Sequence, residues 1–115
     1  MSPKPVRLQD DDALERFVTD HEVALVELYT SGCPKCQAME PVLGNVGRST
    51  TIPVGLAKLG DDPVLLERFD VQSVPTLVLF REGEQVARVS EGFLGGDEVV
   101  DFVEDHAPGA VPEDA

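Results

Sequence analysis

The chain has 115 residues, 42% of them hydrophobic, and its 22 acidic against 9 basic side chains give a formal net charge of −13. That length suits one domain with a single core and no obligatory cross-links, while the charge excludes binding to nucleic acid or anionic membrane through general electrostatics. No apolar run approaches the roughly 20 residues that span a bilayer, and residues 1–9 lack the apolar stretch of a Sec-type signal peptide, so the expected location is the cytoplasm.

Val6-Arg7-Leu8 reads as a short edge strand. Asp10-Asp11-Asp12 supplies an N-cap and an acidic first turn. Leu14, Phe17 and Val18 then follow at i, i+3 and i+4 and predict a helix to about Asp20. The stretch from Val23 to Tyr29 is nearly all apolar and rich in branched residues, the pattern of a buried central strand; Glu27 interrupts it. Thr30-Ser31-Gly32 forms a loop, and a helix starts at Cys33 with Pro34 in its first position, where a missing N–H is no loss. Met39, Val42, Leu43 and Val46 make the inner side of that helix. Pro41 is expected to kink it, and Gly44 and Gly47 to bring it to an end.

Ile52 to Leu59 is a second strand and contains Lys58. Asp61-Asp62-Pro63 is a cap followed by proline and starts a short helix with Val64, Leu65 and Phe69 facing inward. Thr76 to Phe80 is an apolar strand entered through Ser73-Val74-Pro75. Glu82-Gly83 turns it into an antiparallel partner from Gln85 to Ser90. Gly92 and Gly95-Gly96 break that strand, and Asp97 caps a last helix with Val99, Val100, Phe102 and Val103 on its apolar side. Residues 107–115 are small, proline-containing and acidic, and are expected to form a disordered tail behind a single domain of residues 1–106. The element order predicts an α/β fold: one mixed central sheet, parallel between its first two long strands and antiparallel between its last two, with helices on both faces.

Cys33 and Cys36 are the only cysteines. Helix positions i and i+3 lie about 5–6 Å apart on one face, within the span of a disulfide, so the pair can close and reopen without unfolding anything. Cys33 takes the positive end of the helix dipole, with Lys35 as a nearby cation. Thiolate is favoured there, which marks Cys33 as the attacking thiol. Cys36, one turn further in, is the resolving thiol. In a cytosolic chain such a pair is redox-active or metal-binding rather than a structural cross-link. A zinc site would need His21 and His106, which stand 12 residues before Cys33 and 70 after Cys36. That spacing fits no compact finger, and both read as helix-end residues. Burial among its apolar neighbours would raise the Glu27 pKa and make it a proton acceptor near neutral pH; a solvated edge position is its plain alternative.

Taken together, these residues resemble the thioredoxin family over about residues 6–106. Cys33 and Cys36 follow the first long strand and open a helix, and Glu27 stands six residues before Cys33, where the family carries a buried acid. Pro41 matches the family's helix-kinking proline, Lys58 a lysine near the buried acid, Val74-Pro75-Thr76 the cis-proline motif, and Gly92 the glycine after the hairpin. The resemblance implies the thioredoxin fold and reduction of protein disulfides, with Glu27 taking the proton of Cys36 and Lys58 tuning Glu27. It also implies a cis Pro75 and a substrate-binding surface of Gly32, Pro34, Lys35, Val74, Pro75 and Gly92, where the Val74 backbone pairs with substrate like an added strand.

The family's W-C-G-P-C is replaced here by Gly32-Cys33-Pro34-Lys35-Cys36, and the chain has no tryptophan. A proline directly after the first cysteine is a glutaredoxin-like feature. Glutaredoxin-like or oxidase-like exchange, and a non-catalytic binding module, therefore stand as alternatives. No phosphate loop or G-x-G-x-x-G motif occurs, so the dithiol is expected to be the only redox group and electrons to come from a reductase or a small thiol. The protein is expected to work as a monomer. Acid is dispersed along the chain and lysine is limited to Lys4, Lys35 and Lys58, as in a salt-adapted cytosolic protein whose self-repulsion is screened by salt; an ordinary acidic protein is the alternative.

Overall fold

A computed structural model describes residues 4–50 and 52–110. Strand β1 (Val6–Leu8) leads into helix α1 (Asp11–Thr19), then strand β2 (Val23–Tyr29), helix α2 (Pro34–Thr50) and strand β3 (Val54–Lys58). A single 3-10 turn (Leu59–Asp61) precedes helix α3 (Pro63–Phe69), the hairpin β4 (Thr76–Arg81) and β5 (Glu84–Val89), and helix α4 (Gly96–His106). The strands form one sheet in the order β1-β3-β2-β4-β5, parallel from β1 through β2 and antiparallel from β2 to β5. This is the mixed sheet expected, with β2 at its centre between β3 and β4.

Strand alternation divides the core in two. Ala24, Val26 and Leu28 of β2 face a layer with Leu14 and Val18 of α1 and Leu65 and Phe69 of α3. Leu25 faces the opposite layer, with Met39, Leu43 and Val46 of α2 and Val99 and Val103 of α4. By the same alternation Glu27 belongs to this second side. Asp10 caps α1 by accepting from the Ala13 N–H at 2.8 Å, and Asp62 caps α3 by accepting from the Val64 N–H at 3.0 Å. Gly55 of β3 makes room for Leu8 of β1 and Phe17 of α1, since a Cβ there would lie 2.6 Å from Cδ1 of Leu8 and 3.1 Å from Cε2 of Phe17.

The elements depart from expectation at several ends. Helix α2 runs through Gly44 and Gly47 to Thr50. Each glycine costs a helix about 1 kcal/mol relative to alanine, and burial of Leu43 and Val46 on the sheet outweighs it. Strand β3 starts at Val54, because Pro53 has no N–H for a ladder and instead gives its carbonyl to the Leu25 N–H at 3.0 Å. Val64 is 46% exposed rather than inward, since seven residues of helix put only Leu65 and Phe69 on the core. The cap of α4 is Gly95, whose N–H donates to Oε1 of Glu98 at 3.0 Å, so Asp97 lies in the first turn. Past α4 the chain does not leave the domain at 107: Ala107 is buried in the second core layer and Ala110 packs against it. The remainder of the expected tail, residues 111–115, lies outside the described residues.

Candidate active site

The parallel strands β2 and β3 end at the same edge of the sheet, and the antiparallel β4 begins there. Four segments therefore converge. The first is the loop Thr30-Ser31-Gly32 after β2, in which Gly32 adopts φ +71°. It delivers Cys33 to the start of α2, where the Gln37 N–H donates to the Cys33 carbonyl at 3.0 Å. Cys33 and Cys36 are joined as a disulfide with their Cα atoms 5.2 Å apart. The Cys36 N–H points at Sγ of Cys33 at 3.1 Å, so the free end of the helix feeds a donor to that sulfur. Cys33 is half-buried and Cys36 only 2% exposed, the inequality expected of an attacking and a resolving thiol.

The second segment precedes β4. Leu28 is in register with Thr76, which sets Pro75 level with the end of β2. The Val74–Pro75 peptide is cis. The Thr76 hydroxyl lies 2.7 Å from the Ser73 carbonyl and 2.8 Å from the Ser90 hydroxyl, fastening this loop to the chain beyond β5. The third segment is that chain itself. Gly92 has φ +83°, and a Cβ placed there would lie 3.6 Å from both Cδ and Nζ of Lys35. The lysine stem thus lies across a position that only glycine occupies comfortably. The Leu94 N–H donates to Sδ of Met39 at 3.3 Å and binds this loop to α2, while the neighbouring Phe93 is exposed.

The fourth contributor is the end of β3. Lys58 is in register with Tyr29, and Glu27 with Leu56, so Lys58 and Glu27 are diagonal neighbours on one face. A cleft of about 220 Å³ is lined by Cys36 together with Tyr29, Gly32, Gln37, Glu40 and Lys58. Glu27 is 1% exposed, and neither carboxylate oxygen has a hydrogen-bond partner among the described residues. Burial pushes its pKa up to about 8; the negative charge of Glu40 adds to the rise and Arg7 opposes it. Glu27 is therefore the buried acid the sequence marked, able to gain or lose a proton near neutrality.

Three residues of this site were not singled out in the sequence. Arg7 donates to the Tyr29 hydroxyl at 2.9 Å and to Oε1 of Glu40 at 3.1 Å. Glu40 could have been found, since it stands at i+4 from Cys36 on the same face of α2. Arg7 and Tyr29 could not, because their meeting depends on the order of the strands. His21 and His106 cap their own helices, with ring nitrogens on the Phe17 and Phe102 carbonyls at 2.8 and 3.0 Å. Among the described residues no helix is long and apolar enough to cross a membrane.

The thioredoxin family model matches residues 5–105. A thioredoxin-like protein of Synechocystis is 33% identical over 86 residues, covering 73% of this chain and 82% of its own. A thioredoxin of Chlamydia caviae is 28% identical over 86 residues, covering 74% and 83%. Among solved structures, a single-site mutant of the thioredoxin from Halobacterium salinarum superposes with a TM-score of 0.85 at 33% identity, over 97% of this chain and 98% of that one. With a dithiol pair at the head of α2, a buried acid on the strand before it and a cis-proline loop level with that strand's end, the chain belongs to the thioredoxin family and carries its thiol–disulfide oxidoreductase site.

Proposed function

We propose that the protein reduces protein disulfides. The observation that carries this reading is the unequal exposure of the two sulfurs at the head of α2, with a buried, protonatable Glu27 on the adjoining sheet face. In the reduced protein the Cys33 thiolate attacks a substrate disulfide; one substrate sulfur leaves with the electron pair and Cys33 carries the mixed disulfide. Glu27 takes the proton of Cys36. The Cys36 thiolate then attacks Sγ of Cys33, closing the intramolecular disulfide and releasing the second substrate thiolate. Substrate chain pairs with the backbone at Val74 beside Pro75, over a surface of Gly32, Pro34, Lys35 and Gly92. Lys58 stands diagonal to Glu27 across the β2/β3 pair, while the charges that move Glu27 are those of Glu40 and Arg7. Electrons return from a reductase or small thiol, and the dithiol is the only redox group required. The reading suits a monomer in a reducing cytoplasm, and likeness to a Halobacterium salinarum protein supports salt adaptation.

Insulin reduction by dithiothreitol tests this. The protein should accelerate precipitation of the insulin B chain, and Cys33→Ser should fall to the rate of dithiothreitol alone. An unchanged rate in Cys33→Ser would remove the mechanism. Pro34, which opens α2 directly after Cys33, favours glutaredoxin-like or oxidase-like exchange as the second reading. The Cys33/Cys36 reduction potential separates the two.

A further inference from the structure

Two charged side chains distant in sequence, Arg7 and Glu40, form an ion pair beside the Cys36 cleft. Glu40 lines the cleft one helical turn beyond Cys36, and its place is fixed by α2. Arg7 reaches it from β1 and also binds the Tyr29 hydroxyl, so one guanidinium joins the edge strand, the end of β2 and α2. The side chains of the pair are 61% and 37% exposed, and a pair so exposed adds little to stability. Its position matters more. Tyr29 follows Glu27 by two residues on the same sheet face, and the buried Glu27 carboxyl has no partner of its own among the described residues.

We propose that Arg7 and Glu40 are positioning residues of the redox site: the Glu40 carboxylate opposes ionisation of Glu27, and Arg7, tied to Glu40 and Tyr29, offsets it, so the pair sets the pH at which Glu27 exchanges its proton with Cys36. The inference rests on Glu27 being the proton partner of Cys36. In the return half-reaction a donor thiolate attacks Sγ of Cys33, the Cys33–Cys36 bond breaks, and its electron pair passes to Sγ of Cys36. Glu27 then gives its proton to that sulfur and becomes a carboxylate. A neighbouring anion keeps the proton in place until it is needed, and a neighbouring cation accommodates the charge left behind. Arg7 of β1 and Glu27 of β2 are both in register with Leu56 of β3, Tyr29 shares the Glu27 face of β2, Lys58 stands diagonal on β3, Glu40 acts from α2, and the neighbour on β4 is Leu77. Of these, Glu40 raises Glu27 and Arg7 lowers it, after burial as the leading cause.

The test is a carbon-13 NMR titration of the Glu27 carboxyl in the oxidised protein without substrate. Glu40→Gln should lower the midpoint by about one pH unit and Arg7→Met should raise it, while Arg7→Lys should hold it near the wild-type position. Midpoints that move in the same direction, or do not move in folded variants, would overturn the proposal, because a merely structural role has no reason to give opposite signs. The titration needs no disulfide turnover. A negative insulin assay would therefore count against the reductase reading and leave this result standing.

Discussion

The two faces of the sheet bury similar amounts of chain but on different terms. Under α1 and α3 the interior is aliphatic and aromatic: Leu14, Val18, Leu65, Phe69 and Phe80 close over Ala24, Val26 and Leu28. Charges on that side stay at the surface, where Arg68 reaches Asp11 at 2.7 Å and Glu15 at 2.8 Å and ties α3 to α1. Under α2 and α4 the same strand carries Glu27, the one charged residue buried among those described. The helix above it holds Pro41, Gly44 and Gly47, residues that weaken helices. One face is built to hold the sheet, and the other gives up stability to keep a reactive pair and a desolvated acid together.

The largest break in that contrast is on the α1/α3 side. Phe80 is 1% exposed and meets Phe69 edge-on, with ring centroids 6.0 Å apart. Phe80→Ala should lower unfolding free energy by about 3–5 kcal/mol in denaturant titration, while the folded fraction keeps its rate of insulin reduction. A matching loss of redox rate would show that the faces are not separable. Glu27→Gln tests the other side. The native carboxyl titrates near 8, against 4.5 for the free group. The folded state therefore holds a proton that the unfolded state has lost between these values, and stability is fully present below about 4.5 and falls as pH rises toward 8. The unfolding free energy of the wild type, from denaturant titrations, should drop across that window by a few kcal/mol. That of Glu27→Gln should lose this fall, with slower disulfide exchange and a flattened pH–rate profile; an identical slope in the two proteins would remove the buried acid. The smallest effect is blind to the faces. Molar KCl should screen the net charge of −13 and raise the melting midpoint of wild type, Phe80→Ala and Glu27→Gln by the same few degrees, and equal melting at low and high salt would end the salt-adapted reading.

What could be read from the chain was whatever period or spacing expresses. The apolar run around Glu27, the three-residue step between the cysteines and the proline after Val74 each carry their meaning locally. The register of β2 with β3 and β4 then places them at one end of the sheet. Helix ends were less legible. Gly44 and Gly47 signal a stop in isolation, and only burial of their neighbours reverses it; Asp97 looks like a cap, yet the Gly95–Glu98 pair takes that role. The meeting of Arg7 with Tyr29 and Glu40 spans 22 and 33 residues and follows from β1 pairing with β3 at the rim of the sheet, which no local pattern encodes.

That rim has a consequence for how the molecule behaves in a crowd. A sheet of five strands has two margins, and unpaired backbone along a margin invites other chains to add themselves. Here one margin is β1, three residues long, and the other is β5, which carries Glu84 and Arg88 and follows an irregularity in pairing between Leu79 and Phe80. Short, charged and uneven borders make poor templates for self-stacking, so the folded chain offers little for a second chain to add to at either margin.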